Sequence, residues 1–116
     1  TLLGAFAAPP PAVAAPLPHT VDRRLARHGL SRADVATWIA HPGGPKVLEA
    51  MQSSLGLPDG ALDLTWDSLR EVGNLSSTSV LLVLEETLRQ RREPDSWGLL
   101  LALGPGFCAE LVLLRF

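Results

Sequence analysis

The chain has 116 residues, enough for one domain and too few for two. Its formal net charge of -2 gives no basic footprint for nucleic acid or an anionic membrane, and its single cysteine, Cys108, excludes a disulfide framework and a cysteine zinc set. Hydrophobic residues make up 47% and charged residues only 19%, so some apolar surface is expected to meet another domain or subunit.

Residues 1–18 are dominated by alanine and proline, including Pro9-Pro10-Pro11, and read as a linker or irregular arm ahead of a domain over 19–116. The apolar start lacks the basic region of a secretory signal, and proline interrupts it far short of a membrane span, so a cytoplasmic location is expected. Thr1 leads the chain and Met51 is its sole methionine, so these residues are expected to belong to a longer or processed product. From Thr20 the sequence predicts a helix: Thr20 suits its cap, Val21 and Leu25 share a face, and Gly29 suits its end. His19 falls in the preceding loop and His28 near the helix dipole, and neither has a constrained setting.

The next segment is the most informative. Residues 34–40 are short, mostly apolar and partly β-branched, which suits a buried strand. His41 then stands at the strand's carboxyl end, where open α/β sheets place ligand sites. Gly43 and Gly44 allow unusual backbone angles and close substrate approach, and Pro45 suits the first position of a helix. Val47, Leu48, Met51 and Leu55 form that helix's apolar face, opposite Glu49, Gln52 and Ser53. On the residues alone, His41 reads equally as an active-site group or as a histidine hydrogen-bonded at a strand end.

Leu57-Pro58-Asp59-Gly60 has turn chemistry, and residues 66–72 read as a short helix ending at Gly73-Asn74. A further helix is expected from Ser76 or Ser77 to about Arg92. Val80, Leu81, Leu82, Val83 and Leu84 make its first turns apolar on every side, which predicts a helix buried in a core, whereas Glu85, Glu86, Arg89, Gln90, Arg91 and Arg92 carry the far end into water. Asn74 precedes the buried end, at the positive pole of the helix dipole; it reads either as a holder of developing negative charge or as a turn residue tolerant of left-handed angles. Residues 97–103 and 107–116 flank Gly104-Pro105-Gly106 as a hairpin whose near-continuous apolar arms predict strands covered on both faces. Cys108 reads as an unreactive core thiol, and Glu110 and Arg115 as paired or rim residues.

Three segments, His41-Pro42-Gly43-Gly44-Pro45, Leu69-Arg70-Glu71-Val72-Gly73-Asn74-Leu75-Ser76-Ser77 and Leu103-Gly104-Pro105-Gly106-Phe107, resemble in order and spacing the signatures of the C-terminal half of chalcone and stilbene synthases, the type III polyketide synthases. The resemblance runs from about Thr20 to Phe116. It implies an α/β architecture: the C-terminal half of a thiolase-like fold, with a mixed sheet packed on helices, a buried central helix and a C-terminal β-hairpin.

It also implies that His41 and Asn74 belong to a cysteine, histidine and asparagine triad. In such enzymes the cysteine takes an acyl group from a CoA thioester. Histidine and asparagine then bind the thioester oxygen during malonyl-CoA decarboxylation and Claisen condensation. Gly43, Gly44 and Lys46 would lie near the CoA arm, and Gly104, Pro105, Gly106 and Phe107 would shape the cyclisation pocket. Lys46 reads as a contact to a CoA phosphate or as solvated surface. CoA thioesters are substrates here, and no separate cofactor or metal is expected.

The expected partners are malonyl-CoA, an acyl-CoA starter, the absent N-terminal half and a second subunit of a homodimer. The nucleophilic cysteine belongs to that absent half, and Cys108 does not occupy its motif, so the chain alone is expected to be inactive. The wording from Ala102 to Glu110 is similar to bacterial members, some of which take long fatty-acyl starters. Two alternatives stand beside this reading. One is a β-ketoacyl carrier-protein synthase III relative, against which Pro42-Gly43-Gly44 and Leu75-Ser76-Ser77 argue. The other is a non-catalytic remnant that dimerises or binds acyl-CoA.

Overall fold

The computed structural model describes residues 17–90, 92–103 and 109–116. They form helix α1 (Leu17–Ala26), a 3₁₀ turn (Arg32–Asp34), strand β1 (Val35–Ala40), helices α2 (Pro45–Leu55), α3 (Asp63–Val72) and α4 (Ser77–Arg89), and strands β2 (Trp97–Leu103) and β3 (Ala109–Arg115).

The strands form one mixed sheet in the order β1-β2-β3. β1 runs parallel to β2, with Ala40 opposite Leu101, and β2 runs antiparallel to β3, with Leu103 opposite Ala109. β1 starts at Val35 because Asp34 is engaged locally: its carboxylate accepts the Ser31 N–H at 2.8 Å and closes the 3₁₀ turn. From Thr37 to Ala40 every residue of β1 is buried, as a strand covered on both faces requires.

Pro45 opens α2, and Gly56 ends it at φ 61°, with its N–H bonded to carbonyls of the last turn. Val47, Leu48, Met51 and Leu55 are its buried face, as the spacing predicts. Each such side chain contributes roughly 1.5–3 kcal/mol through burial. They join Val21 and Leu25 of α1, Trp38 and Ala40 of β1, and Leu99 and Leu101 of β2 in one core. α1 packs on α2 and β3, whereas α3 packs on α4 and both of these on β1.

Three expectations change in detail. α1 already includes Leu17, ahead of Thr20, with Leu17, Val21 and Leu25 forming one buried stripe. The linker expected over residues 1–18 otherwise lies outside the described residues. α4 is not buried all round: Ser79, Val83 and Thr87 form its buried face, while Leu81 and Leu88 are 59% and 61% exposed. Helical geometry turns those leucines away from the sheet, and nothing among the described residues covers them. β3 is likewise covered mainly on one side, with Leu111 buried and Val112 exposed.

Candidate active site

The site begins where β1 stops. The His41 N–H still donates to the Leu101 carbonyl at 2.9 Å, so its backbone is anchored to β2. The Gly43 N–H then donates to the His41 carbonyl at 2.9 Å, folding the chain back over Pro42 in a three-residue turn. Gly44 follows at φ 152° and ψ 163°, a conformation essentially reserved for glycine, and caps α2. Gly44 is the glycine that this backbone requires; a Cβ on Gly43 would lie 3.6 Å from His41 Cδ2, an ordinary van der Waals contact.

Asn74 arrives from a different element. α3 ends at Gly73, φ 71°, and the next residue sends its side-chain amide toward the same turn. Asn74 Nδ2 donates to the Gly43 carbonyl at 3.4 Å, while its Oδ1 accepts the Ser76 N–H at 2.8 Å. The positive φ falls on Gly73 and on Ser76, at 61°, and not on Asn74, so Asn74 is not the left-handed residue of this turn. The Leu75 N–H donates to the buried Ser79 hydroxyl at 2.5 Å and ties the turn to α4.

The half-buried setting of His41 lowers its pKa below the usual 6.5 through desolvation. Its ring is therefore biased toward the neutral form, with one N–H donor and one acceptor nitrogen. Around Gly43 the structure thus gathers an imidazole biased toward its neutral form and a carboxamide that donates to the Gly43 carbonyl. Both groups carry N–H donors, which can hydrogen-bond an anionic oxygen.

The other candidates are placed differently. Lys46 is in the first turn of α2, with its side chain 71% exposed and 3.8 Å from Glu49. His19 and His28 are exposed. Gly104, Pro105, Gly106, Phe107 and Cys108 lie outside the described residues. Arg115 pairs with Asp95 at 3.4 Å and stacks on Trp97, and Glu110 is exposed, as rim residues would be. Among the described residues no three His, Cys, Asp or Glu side chains form a metal cluster, and no helix is long and apolar enough to cross a membrane. Ser76 and Thr65 are contributors that the sequence reading missed. Ser76 orients Asn74, and the Thr65 hydroxyl donates to the Ala40 carbonyl just ahead of His41. No motif spacing marks the Thr65 contact, which joins separate elements, whereas the Ser76 bond is a local turn between residues two apart.

Residues 7–116 match the family model for the chalcone and stilbene synthase C-terminal domain, and the chain belongs to that family, the type III polyketide synthases. The match starts within the stretch read as a linker.

The chain is 64% identical over 93 residues to 1,3,6,8-tetrahydroxynaphthalene synthase of Streptomyces peucetius, covering 79% of this chain and 25% of that one. A putative chalcone synthase of Bacillus subtilis is 41% identical over 90 residues, covering 77% of this chain and 25% of that one. In three dimensions the chain superposes on 1,3,6,8-tetrahydroxynaphthalene synthase of Streptomyces coelicolor with a TM-score of 0.83 and 31% identity, covering 91% of this chain and 31% of that structure. A brown-algal polyketide synthase from Ectocarpus siliculosus gives a TM-score of 0.83 at 34% identity, covering 89% of this chain and 29% of that structure. The mixed sheet with its helices is therefore that of type III polyketide synthases, a thiolase-like fold. The chain spans about a quarter of the curated relatives' length.

Proposed function

We propose that this chain supplies the oxyanion-binding half of a type III polyketide synthase that decarboxylates malonyl-CoA and condenses the product with an acyl thioester. The observation that carries the reading is the turn at Gly43, with the His41 ring on one side and the Asn74 amide donating to its carbonyl.

In this mechanism the bond between the malonyl carboxylate and C2 breaks, CO₂ leaves, and the electron pair moves to C2 and the thioester oxygen as an enolate. N–H groups of His41 and Asn74 hydrogen-bond that oxygen. C2 then attacks the carbonyl of an acyl group held on a cysteine, forming the new C–C bond as the thiolate leaves. The cysteine comes from the N-terminal half of the complete enzyme, so these residues alone catalyse no condensation. Lys46, exposed beside the turn, is available to a CoA phosphate. The Gly104-Pro105-Gly106-Phe107 loop shapes the cyclisation pocket. The complete enzyme works as a homodimer in the cytoplasm.

The product is of the tetrahydroxynaphthalene type. The 64% identical relative is named for a ten-carbon bicyclic skeleton with oxygen at alternating positions. Five two-carbon units give that skeleton without an alkyl tail, which favours malonyl-CoA over a long fatty-acyl starter.

The test is malonyl-CoA decarboxylation and product mass in the intact, full-length protein. His41→Ala should lower the decarboxylation kcat by about 10²–10³-fold, the range for losing one oxyanion donor. The wild type given malonyl-CoA alone should release a product with the mass of tetrahydroxynaphthalene or its oxidised form. Unchanged decarboxylation in His41→Ala would defeat the catalytic role of His41, and no decarboxylation in either protein would leave a binding or remnant role. A product requiring a fatty-acyl-CoA would reverse the starter assignment.

A further inference from the structure

We infer that Thr65 is a positioning residue for His41: its hydroxyl fixes the carbonyl of Ala40, and so the point at which the histidine leaves the sheet, against the helix that delivers Asn74. This deepens the reading above and rests on it.

The peptide unit between Ala40 and His41 is the last of β1. Its N–H, on His41, points to β2 and donates to Leu101 at 2.9 Å. In a trans peptide the carbonyl opposes the N–H, so the Ala40 oxygen points away from β2. Among the described residues that edge of β1 has no partner strand. Ala40 is fully buried, and a buried carbonyl needs a donor. Thr65 supplies it: the side chain is 1% exposed, and its Oγ1 lies 3.1 Å from the Ala40 oxygen. This peptide unit is thus held from both sides, by a strand on one and a helix side chain on the other.

What makes this more than a satisfied carbonyl is the course of α3. The helix starts two residues before Thr65, runs to Val72 and hands over at Gly73 to Asn74, which reaches the Gly43 carbonyl. α3 therefore grips the segment carrying His41 twice, once just before the histidine and once two residues after it. The two donors of the oxyanion site come from separate elements, and the Thr65 hydroxyl joins those elements directly. Val at this position keeps the shape and removes the donor; Ser keeps the donor and removes a methyl group.

The experiment measures kcat and KM for malonyl-CoA decarboxylation, with melting temperature, in the intact protein carrying Thr65→Val, Thr65→Ser, Thr65→Ala or His41→Ala. Thr65→Val and Thr65→Ala should lose about tenfold or more in kcat, the scale of a small misplacement at a catalytic centre, with KM held within about twofold. Thr65→Ser should keep kcat within about twofold although it melts at a lower temperature. Activity would then follow the hydroxyl and not the stability, which a purely structural role would not produce.

Native kcat in Thr65→Val, or a loss in Thr65→Ser equal to that in Thr65→Ala, overturns the inference. If Thr65→Val does not fold, the serine and alanine variants decide by the same comparison. Retained decarboxylation in His41→Ala overturns the functional reading and this inference together. Its loss there, with native kcat in Thr65→Val, overturns this inference alone.

Discussion

Ser76 carries a φ of 61° without being glycine, one residue beyond Leu75 and two beyond Asn74. Its Cβ crowds the backbone there, a conformation that costs of order 1–3 kcal/mol. The same geometry aims the Ser76 N–H at Asn74 Oδ1, which leaves Nδ2 facing Gly43. Ser76→Gly should remove the crowding, partly offset by glycine's larger entropy loss of about 0.5–1 kcal/mol. A net gain of about 1 kcal/mol in a urea titration is expected, and a loss would mean that the turn is not strained. His41 gives a second prediction at this scale. Burial lowers its pKa in the folded protein, so the unfolded chain binds the proton more readily. This contribution to stability is complete above the unfolded value near 6.5 and is lost as pH falls from there toward the folded value. Denaturation between pH 7.5 and about 5 should therefore show a falling stability whose slope is reduced in His41→Gln. An equal slope in both proteins would assign the effect to other groups. A cysteine thiolate brought beside His41 would act in the opposite direction, favouring the protonated ring.

At the scale of elements, α2 is the best anchored, with Leu48 at 0% and Met51 at 1% exposure. Leu48→Ala should cost about 2–5 kcal/mol, the range for opening a cavity in a closed core, and a denaturant midpoint shift at constant slope would measure it. This helix was legible in the sequence because one segment contains its signals: Gly44 and Pro45 at the start, then the Val47, Leu48, Met51 and Leu55 spacing. β1 was legible for the same reason, and His41 is where its apolar run stops. The exposed face of α4 was not legible. The run from Val80 to Leu84 states a demand for burial and does not say which element meets it; in the structure Val83 is the one residue of that run fully buried, beside Ser79 and Thr87. Small side chains let that helix approach closely, and their hydroxyls are spent locally, Thr87 on the Val83 carbonyl at 2.7 Å and Ser79 on the Leu75 N–H. The histidine and asparagine of the site could be named from their motifs. The hydrogen bonds that join them, from Asn74 to Gly43 and from Thr65 to Ala40, cross 31 and 25 residues of sequence and have no local signature.

For the molecule as a whole, the decisive feature is the apolar surface left open on one side. Leu81 and Leu88 are 59% and 61% exposed, and they lie seven residues apart on one face of α4; Val72 and Leu75, just upstream, are 47% and 48% exposed. An isolated surface leucine is ordinary, but two leucines exposed on one face of α4, with Val72 and Leu75 also exposed just ahead of that helix, leave much apolar surface open. The composition points the same way, since 19% charged residues leave little polar surface to spread over a small domain. The relatives offer a cover: 25% of the Streptomyces peucetius enzyme is matched here, so most of its length lies elsewhere. If the same polypeptide covers α4 in the intact protein, Leu81 and Leu88 become core residues there. The double change Leu81→Asp, Leu88→Asp should then cost more than about 3 kcal/mol in the intact protein, since each leucine loses roughly 1.5–3 kcal/mol of burial and each carboxylate adds a desolvation cost. On a face that stays in water the same pair should change stability by no more than about 0.5 kcal/mol per site. The two outcomes are far enough apart for a single denaturant titration to separate them. A large loss accompanied by loss of decarboxylation would place α4 and the Asn74 turn at its start under the rest of the enzyme, and a small one would leave that face to solvent.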